Sequence, residues 1–254
     1  KYIDEVLEKF NMSECKPVRT PLTPGTQLLK NPSDKLPNYP YQNLIGALMY
    51  LSMGTRPDIS HCVSYLSQYN MCFDKSHWLA AKRVLRYLKG TRDLALMYKK
   101  TGQPLHGFAD ADWGSCTEDR KSYTGYLFKY AGAAISWESR KQRTVALSTH
   151  EAEYMSLTDA AKEAMHLKQL VTDMGIKHEA IEIFNDNLSA QDLTKNPIVS
   201  ARSKHISIRE HFIREKVQDG SVVVTYKPTE DMEADVLTKG LTGPRHNLLR
   251  TAMG

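Results

Sequence analysis

Cysteine is scarce in this sequence and long apolar runs are missing, and each of these features excludes a class of protein. The 254 residues include four cysteines with no Cys-x-x-Cys pair among them, so neither a disulfide framework nor a zinc module is indicated. We expect reduced thiols and an intracellular location. No apolar run approaches the roughly 18 residues of a membrane-spanning helix, and no signal segment opens the chain, so we expect no membrane partner. The first residue is Lys1 rather than methionine, which is expected of a piece of a longer protein.

An excess of basic residues gives the sequence a net charge of +5, and the distribution of this charge indicates the kind of partner. Lys82, Arg86 and Lys89 recur at helical spacing, opposite an apolar side. A second basic cluster lies between residues 202 and 216. One such cluster alone is typical of a solvated helix face, whereas two of them flanking a carboxylate-rich region favour a polyanionic partner.

Changes in residue pattern divide the chain into four parts. Six prolines between residues 17 and 40 stop helices and mark a linker, and strand patterns begin only near residue 104. The predicted parts are an N-terminal helix with the proline-rich linker (1–40), a helical connection region (41–103), an α/β domain (104–241) and a C-terminal tail (242–254). In the connection region, the apolar periodicity predicts three helices, at about 41–53, 58–72 and 76–89.

Strand and helix patterns alternate in the third part and predict its fold class. The predicted strands are 105–110, 122–130, 133–138, 181–185 and 221–227. The predicted helices are 149–173, 187–194, 205–218 and 231–239. Three meandering strands, followed by two more reached through helices, describe an α/β fold with a mixed five-stranded sheet and helices on both faces. The long helix between the third and fourth strands lets the first and fourth strands lie side by side and parallel.

Four acidic residues stand at positions of this scheme where they can meet. Asp110 and Asp186 end the first and fourth strands, and ligands commonly bind at the carboxyl ends of parallel strands. Glu153 opens the apolar stripe of the long helix, whereas Glu151 is turned by about 200° from it towards solvent. Asp235 lies in the last predicted helix. Any one of them could be a helix cap or a salt-bridge partner, but the convergence of all four favours a common site.

Carboxylates gathered in one place repel one another, and burial disfavours their charged forms. A fold that gathers them commonly holds divalent cations between them, and an all-oxygen ligand set favours Mg²⁺ or Mn²⁺ over zinc. Two such ions on a carboxylate cluster form the arrangement that cleaves phosphodiesters. We expect Asp110 to bridge the two ions. Glu153 and Asp186 would each complete the ligands of one ion, with Asp235 on the water-activating side. No small-molecule cofactor is expected.

Long motifs follow one another in a fixed order through residues 104–241. They include Phe108-Ala-Asp-Ala-Asp-Trp113, Arg140-Lys-Gln142, Thr144-Val-Ala-Leu-Ser-Thr-His-Glu-Ala-Glu-Tyr154, Asp186-Asn-Leu-Ser-Ala190, Lys204-His-Ile206 and Ala234-Asp-Val-Leu-Thr-Lys239. Together they resemble the ribonuclease H domain of Ty1/copia-type retrotransposon Pol polyproteins. The earlier motifs are similar to the end of the preceding reverse transcriptase and its connecting segment, and they include Thr55-Arg-Pro-Asp-Ile-Ser60 and Val84-Leu-Arg-Tyr-Leu-Lys-Gly-Thr91. The resemblance therefore covers nearly the whole chain.

The resemblance implies a ribonuclease H-like fold and an enzyme that hydrolyses the RNA strand of RNA/DNA hybrids during reverse transcription. The catalytic, metal-binding acids of the family fall on the four residues chosen above: Asp110, Glu153, Asp186 and Asp235. The hybrid and the reverse transcriptase portion of the same polyprotein are the implied partners. Within the motifs and the basic clusters, we expect seven nucleic-acid contacts, which are Lys82, Arg86, Lys89, Arg140, Lys141, Lys204 and His205.

Some features depart from the family or leave alternatives open. His150 stands where threonine is more usual, and the loop from Lys227 to Asp231 lacks the histidine that cellular enzymes of the superfamily carry there.

An integrase-like nuclease shares the fold but uses three carboxylates. Another alternative is a decayed or co-opted fragment that binds nucleic acid without cutting it. No two aspartates are adjacent, so the aspartate pair of a polymerase palm is missing and we expect no DNA synthesis.

Overall fold

A computed structural model of the chain describes residues 1–30, 36–116, 118–176, 179–195 and 204–254, with the backbone alone for 192–195 and 204–210. Within these ranges the chain forms eight α-helices and five strands. The helices are α1 (Tyr2–Lys9), α2 (Tyr41–Gly54), α3 (Ser60–Ser67), α4 (Lys75–Gly90), α5 (Thr149–Asp173), α6 (Leu188–Lys195), α7 (Lys204–Gln218) and α8 (Gly243–Ala252). The strands are β1 (His106–Asp112), β2 (Tyr123–Tyr130), β3 (Ala133–Lys141), β4 (Ile181–Asn185) and β5 (Val222–Tyr226).

The five strands form one mixed sheet in the order β3-β2-β1-β4-β5. β1, β2 and β3 pair antiparallel as a meander, while β4 lies parallel to β1 and β5 lies parallel to β4. Parallel neighbours need crossover connections, and helix α5 and the pair α6 and α7 lie in those connections. The predicted α/β class and the parallel pairing of the first and fourth strands are confirmed.

Side chains of the central strand alternate between two cores, one on each face of the sheet. Ala109 belongs to the core that the sheet shares with α5, α6 and α7. Phe108 belongs to a second core, which includes residues of α8 and of the segment before it. Because successive side chains of a strand point to opposite faces, both faces of β1 are buried.

The register between β1 and β4 sets the position of two acidic residues. Phe108 lies opposite Phe184 in this parallel pair, and their rings stack with centroids 5.2 Å apart. Asp110 and Asp186 each follow two residues later. Since the two strands run in the same direction, both acids lie at the same edge of the sheet, as the strand pattern predicted.

Helix α5 carries a third acid to this edge. Ser148 caps the helix by accepting a hydrogen bond from the Glu151 backbone N–H at 3.2 Å. Ser156, near the same end, donates its hydroxyl to the Asp110 carbonyl oxygen at 2.7 Å and so fastens α5 to β1. The stripe predicted to face the core is buried throughout, at Glu153, Leu157, Ala160, Ala164, Leu167 and Val171.

The helices that precede the sheet have a core of their own and dock on the outer strand β3. Trp137 of β3 donates its indole N–H to the Ser52 carbonyl oxygen at 2.7 Å. Lys141 of the same strand donates to the Gln68 side chain at 3.0 Å. The connection region is therefore held against the sheet by specific polar contacts as well as by packing.

A buried ion pair lies within the connection region, where the C-terminal helix contacts it. Arg56 and Asp58 form two hydrogen bonds, of 2.9 and 2.8 Å, and the Tyr87 hydroxyl donates to the same carboxylate at 2.5 Å. Burial alone would raise the pKa of Asp58, but the hydrogen bonds and charge of Arg56 outweigh it and hold the pKa below its usual range. His246 of α8 lies 3.2 Å from the Asp58 carbonyl oxygen. Helix α8 therefore contacts the connection region through His246 and the second core through Leu249.

The C-terminal residues differ from the expected tail. Residues 242–254 contain helix α8, which has Pro244 in its first turn, where proline is favoured because its missing N–H has no helical partner to lose. Leu249 and Met253 are buried in the second core. The Met253 carbonyl oxygen also accepts the Ala134 N–H at 2.8 Å, which ties the chain end to β3.

The last helix predicted in the α/β domain, at 231–239, also takes a different form. Two 3-10 helices occupy this segment, Thr229–Asp231 and Glu233–Leu237. They are separated by Met232, which has an extended backbone and a fully buried side chain. Anchoring of Met232 in the second core therefore interrupts the helix that the apolar spacing predicts.

Close packing at Gly125 positions the second of these 3-10 helices. Gly125 lies opposite Asp110 in the β1–β2 register, and a Cβ there would lie 2.7 Å from the Leu237 Cβ and 2.8 Å from the Thr238 Cγ2. We expect Gly125→Ala to push this segment away from the sheet and to destabilise the protein by about 1–3 kcal/mol. Thermal unfolding measures the effect.

Gly46→Ala is the matched control for this substitution. Gly46 lies in α2, where an added Cβ meets nothing within 4 Å, and alanine favours a helix interior over glycine. We expect the control to be neutral or stabilising. An unchanged melting temperature for Gly125→Ala would contradict the close packing described here.

Candidate catalytic site

Three carboxylates converge at the edge of the sheet where β1 and β4 end. One carboxylate oxygen from each of Asp110, Glu153 and Asp186 lies within 4.8 Å of the other two. Asp110 comes from β1, Glu153 from the start of α5 and Asp186 from the residue after β4. Asp110 and Glu153 are buried and Asp186 is partly exposed, so the cluster is open to solvent on the side of Asp186. We refer to these three residues as the acidic triad.

Burial and mutual repulsion make two members of the acidic triad, Asp110 and Glu153, hold protons unusually strongly. Desolvation and the charges of Asp235 and Asp186 raise the pKa of Asp110 to about 7, although Lys239 opposes the shift. Desolvation and the charges of Asp110 and Asp186 also raise the pKa of Glu153 well above its ordinary value. A cation between the carboxylates would relieve both effects.

Asn185 fixes Glu153 relative to the sheet. Its side-chain amide is fully buried and donates to the Glu153 carboxylate and to the Ala109 carbonyl oxygen, each at 3.0 Å. Gln191 in turn donates to the Asn185 carbonyl oxygen at 3.0 Å. These hydrogen bonds restrict the rotamers of Glu153, and ligating carboxylates commonly have support of this kind.

Asp235 lies beside the acidic triad but has different partners. It is buried in the 3-10 helix Glu233–Leu237, and its two oxygens face two cations: the Lys239 ammonium at 2.9 Å and the Arg245 guanidinium at 2.9 Å. Both contacts are ion pairs. The structure thus brings three of the four predicted acids into one cluster and places the fourth against two basic side chains.

Thr238, Lys239 and Arg245 were not predicted as members of this site. Thr238 donates its hydroxyl to the Asp110 carboxylate, and the Lys239 ammonium lies 3.8 Å from the same carboxylate. Burial alone would lower the pKa of Lys239, but the charges of Asp110 and Asp235 outweigh it and raise the pKa. The sequence could have identified Thr238 and Lys239 through their spacing from Asp235, because residues three and four apart share one side of a helical turn.

The donor set of the acidic triad suits a divalent cation. Its ligand atoms are carboxylate oxygens, which Mg²⁺ and Mn²⁺ prefer. Among the side chains that the structure describes, Lys239 and Arg245 pair on the side of Asp235, and no lysine or arginine pairs with Glu153 or Asp186. Glu153 and Asp186, which have no paired lysine or arginine in the described part of the chain, together carry two negative charges. One divalent ion would neutralise them.

The predicted basic face of α4 is partly engaged within the chain. Arg86 donates to a backbone carbonyl of the segment 13–16 at 2.7 Å, and Lys89 donates to another carbonyl of this segment. The Lys82 ammonium lies 6.0 Å from the centroid of the Trp78 ring. Helical spacing could not show that the N-terminal segment covers this face. Nucleic-acid contact by these three residues stays a prediction.

The remaining predicted contacts lie on β3 and α7. Arg140 lies 2.6 Å from a carboxylate of α5, and Lys141 lies 2.9 Å from Asp119, so both form ion pairs within the chain. Lys204 and His205 begin α7, and their side chains lie outside the described part of the structure. These four assignments also stay predictions.

Comparison with known sequences relates the chain to transposon proteins. It is 41% identical over its full length to the retrovirus-related Pol polyprotein from transposon TNT 1-94 of Nicotiana tabacum. It is also 41% identical, over 95% of its length, to the retrovirus-related Pol polyprotein from transposon RE2 of Arabidopsis thaliana. The chain spans only 20% and 17% of these two relatives. No family model matches the chain.

Comparison with solved structures concerns the fold. One similar structure is the foamy viral protease-reverse transcriptase dRH, solved in complex with double-stranded DNA. The alignment covers 89% of this chain and 35% of the foamy viral chain, with a TM-score of 0.51 and 14% sequence identity. The order and direction of the strands are those of a ribonuclease H-like fold. Sequence identity then gives the family: the chain belongs to the retrovirus-related Pol polyproteins of copia-type transposons, as its motifs predicted.

The raised pKa of Asp110 predicts how the stability of the metal-free protein depends on pH. Its folded pKa of about 7 exceeds the ordinary 3.8, so the folded state binds this proton more tightly than the unfolded state. The free energy of unfolding therefore falls as pH rises between these two values. Asp110→Asn keeps the shape and removes the charge, so we expect it to stabilise the metal-free protein at pH 8 by about 1–3 kcal/mol.

Denaturant unfolding in EDTA at pH 5 and at pH 8 measures this effect. The variant should gain more stability over the wild type at pH 8 than at pH 5, since the wild-type carboxylate is mostly protonated at the lower value. Equal differences at the two pH values would show that Asp110 does not hold its proton as described.

Proposed function

We propose that this chain is the ribonuclease H of its polyprotein, an endonuclease that cuts the RNA strand of an RNA/DNA hybrid during reverse transcription. The observation that carries the proposal is the acidic triad at the edge of a ribonuclease H-like sheet. Membership of the Pol family supports the hybrid as substrate and the reverse transcriptase portion of the same polyprotein as partner. In the described ranges, the helices are too short or too polar to cross a membrane.

The acidic triad and Asp235 would hold two Mg²⁺ or Mn²⁺ ions. When bound, such ions lower the pKa of an attacking water and stabilise the leaving oxygen of a phosphodiester. Asp110 is central, because it belongs to the triad and its carboxylate also lies 3.8 Å from the ammonium that pairs with Asp235. Its carboxyl group must lose its proton before it can serve as a ligand, so binding of the ions should tighten as pH rises through about 7, the pKa of the metal-free group.

The chain positions these carboxylates before substrate arrives. Asn185 holds Glu153, and the Thr238 hydroxyl holds Asp110. Asp186 accepts the Thr229 hydroxyl at 2.5 Å. Fixed oxygens need little reorganisation during the reaction, which is the usual advantage of a preorganised site. Because Asp186 is the partly exposed member of the triad, the scissile phosphate would approach from its side.

Removal of single carboxylate charges tests the proposed chemistry. Asp110→Asn and Glu153→Gln keep the side-chain shape, so we expect both to fold and to reduce RNA cleavage by about 10³-fold or more, because the ligand charge is lost. The measurement uses a hybrid labelled on its RNA strand, with Mg²⁺ or Mn²⁺ and with analysis of the products for 3′-hydroxyl ends. Hybrid binding without cleavage in wild type would favour the co-opted nucleic-acid-binding fragment.

Two substitutions on the same elements are matched controls. Glu151→Gln lies on α5, where the Glu151 carboxylate accepts the Leu147 N–H at 2.7 Å, and Asp112→Asn lies at the end of β1. Neither residue belongs to the acidic triad. We expect both variants to stay within about threefold of wild-type activity. If either were as inactive as the triad variants, the assignment of helix and strand faces would be wrong.

Lys82 tests whether α4 contacts the nucleic-acid backbone. Its ammonium lies against an aromatic ring, whereas Arg86 is already hydrogen-bonded within the chain. We expect Lys82→Ala to lower the slope of log affinity against log salt by about 0.7–0.9, the value of one phosphate contact. Arg86→Ala should lower the melting temperature instead. Anisotropy titrations of a labelled hybrid at several salt concentrations, with Ca²⁺ present, measure the slope. An unchanged slope for Lys82→Ala would show that this face touches no phosphate.

A further inference from the structure

Lys239 is placed between two acids that belong to different elements of the fold. Its ammonium lies 2.9 Å from Asp235, in the 3-10 helix, and 3.8 Å from Asp110, on β1. Both carboxylates are buried, with 3% of each side chain exposed, whereas Lys239 is one-third exposed. The ammonium of Lys239 therefore lies beside two buried carboxylates, while part of its side chain is exposed to solvent.

A structural ion pair with Asp235 does not require this lysine. Arg245 already pairs with the other oxygen of Asp235 at 2.9 Å and is held by backbone carbonyls of the preceding segment. Lys239 thus adds a second cation to an acid that has one.

Charge is distributed unevenly across the cluster as a result. On the side of Asp110 and Asp235, two carboxylates face two cations, Lys239 and Arg245. On the side of Glu153 and Asp186, no described lysine or arginine balances the two carboxylates, which face each other across the triad. One divalent ion in the triad balances these four carboxylates and two cations, and the nearby Asp112, whose charge also acts on Lys239, adds at most one negative charge. A second divalent ion would leave excess positive charge unless one of the chain's own cations moves away.

We propose that Lys239 occupies the cation position between Asp110 and Asp235, so that a divalent ion binds there only by displacing its ammonium, whereas an ion in the acidic triad meets no competitor. The inference rests on the proposed function and deepens it, because it ranks the two ion positions by their affinity for a divalent ion. Lys239 can leave, since its flexible four-carbon stem is partly exposed. The concentration of free divalent ion then sets how often the second position is filled.

Mn²⁺ binding without nucleic acid tests this ranking, with free Mn²⁺ counted by electron paramagnetic resonance. Wild type should bind one ion tightly and a second weakly. Lys239→Gln should tighten the weaker binding by about tenfold or more, because a competing charge beside two carboxylates is gone, and should leave the tighter binding unchanged. Lys239→Arg keeps a cation and should behave like wild type.

Lys162→Gln is the matched control. Lys162 is a half-exposed lysine on α5 that pairs with Asp159 at 3.4 Å, so its substitution removes the same charge away from the cluster. We expect no change in either binding constant. If Lys239→Gln left the weaker binding unchanged or weakened it, or if wild type bound two ions equally tightly, the competition would be refuted.

A second measurement needs no variant and so does not depend on the folding of Lys239→Gln. In wild type with ¹⁵N-labelled lysine, the larger movement of the Lys239 ammonium resonance should come in the second phase of a Mg²⁺ titration, because the first ion changes only the charge of Asp110, 3.8 Å away. A movement completed in the first phase, or none at all, would contradict displacement. Two bound ions with an undisturbed Lys239 would overturn this inference alone, whereas a wild type that binds no divalent ion would overturn the proposed function as well.

Discussion

Gathering Asp110, Glu153 and Asp186 within 4.8 Å of one another costs electrostatic free energy, and the rest of the structure has to hold them there against it. The raised pKa values of Asp110 and Glu153 reflect burial first and this mutual repulsion second. A protein of this size has a small margin of stability, so the cost must be offset by packing elsewhere. The same repulsion makes the cluster a good host for divalent ions.

Several contacts supply this support, and they come from distant parts of the chain. Ser156 fastens α5 to the backbone of Asp110, and Gly125 lets the segment with Thr238 approach the other face of the sheet. Helix α8 holds that segment in the second core and itself contacts the connection region through His246, which lies against the Asp58 carbonyl oxygen. The helical connection region therefore contributes indirectly to the position of Asp235, in addition to any contact with substrate.

Features with a local period were predictable from the sequence, and features that depend on distant contacts were not. The buried stripe of α5 follows from a spacing of three and four residues, and the parallel pairing of β1 and β4 follows from the order of elements. Helix α8 and the break at Met232 depend instead on burial against the sheet, which no local pattern shows. The segment 13–16 covers Arg86 for the same reason. At the site, the triad was predictable from strand ends and a helix face, whereas Lys239 became visible only when β1 and the 3-10 helix were placed together.

Diffraction from crystals of this chain grown with Mn²⁺ and an uncleavable RNA/DNA hybrid would test the central claim most directly, since the anomalous signal of Mn²⁺ locates each ion. The proposed function predicts two peaks that share Asp110 as a ligand, one of them within the acidic triad and the other beside Asp235. The competition proposed for Lys239 predicts in addition that its ammonium has moved away from the second ion. A map without a peak at Asp110, with the hybrid bound elsewhere on the molecule, would contradict a metal-dependent ribonuclease at this cluster.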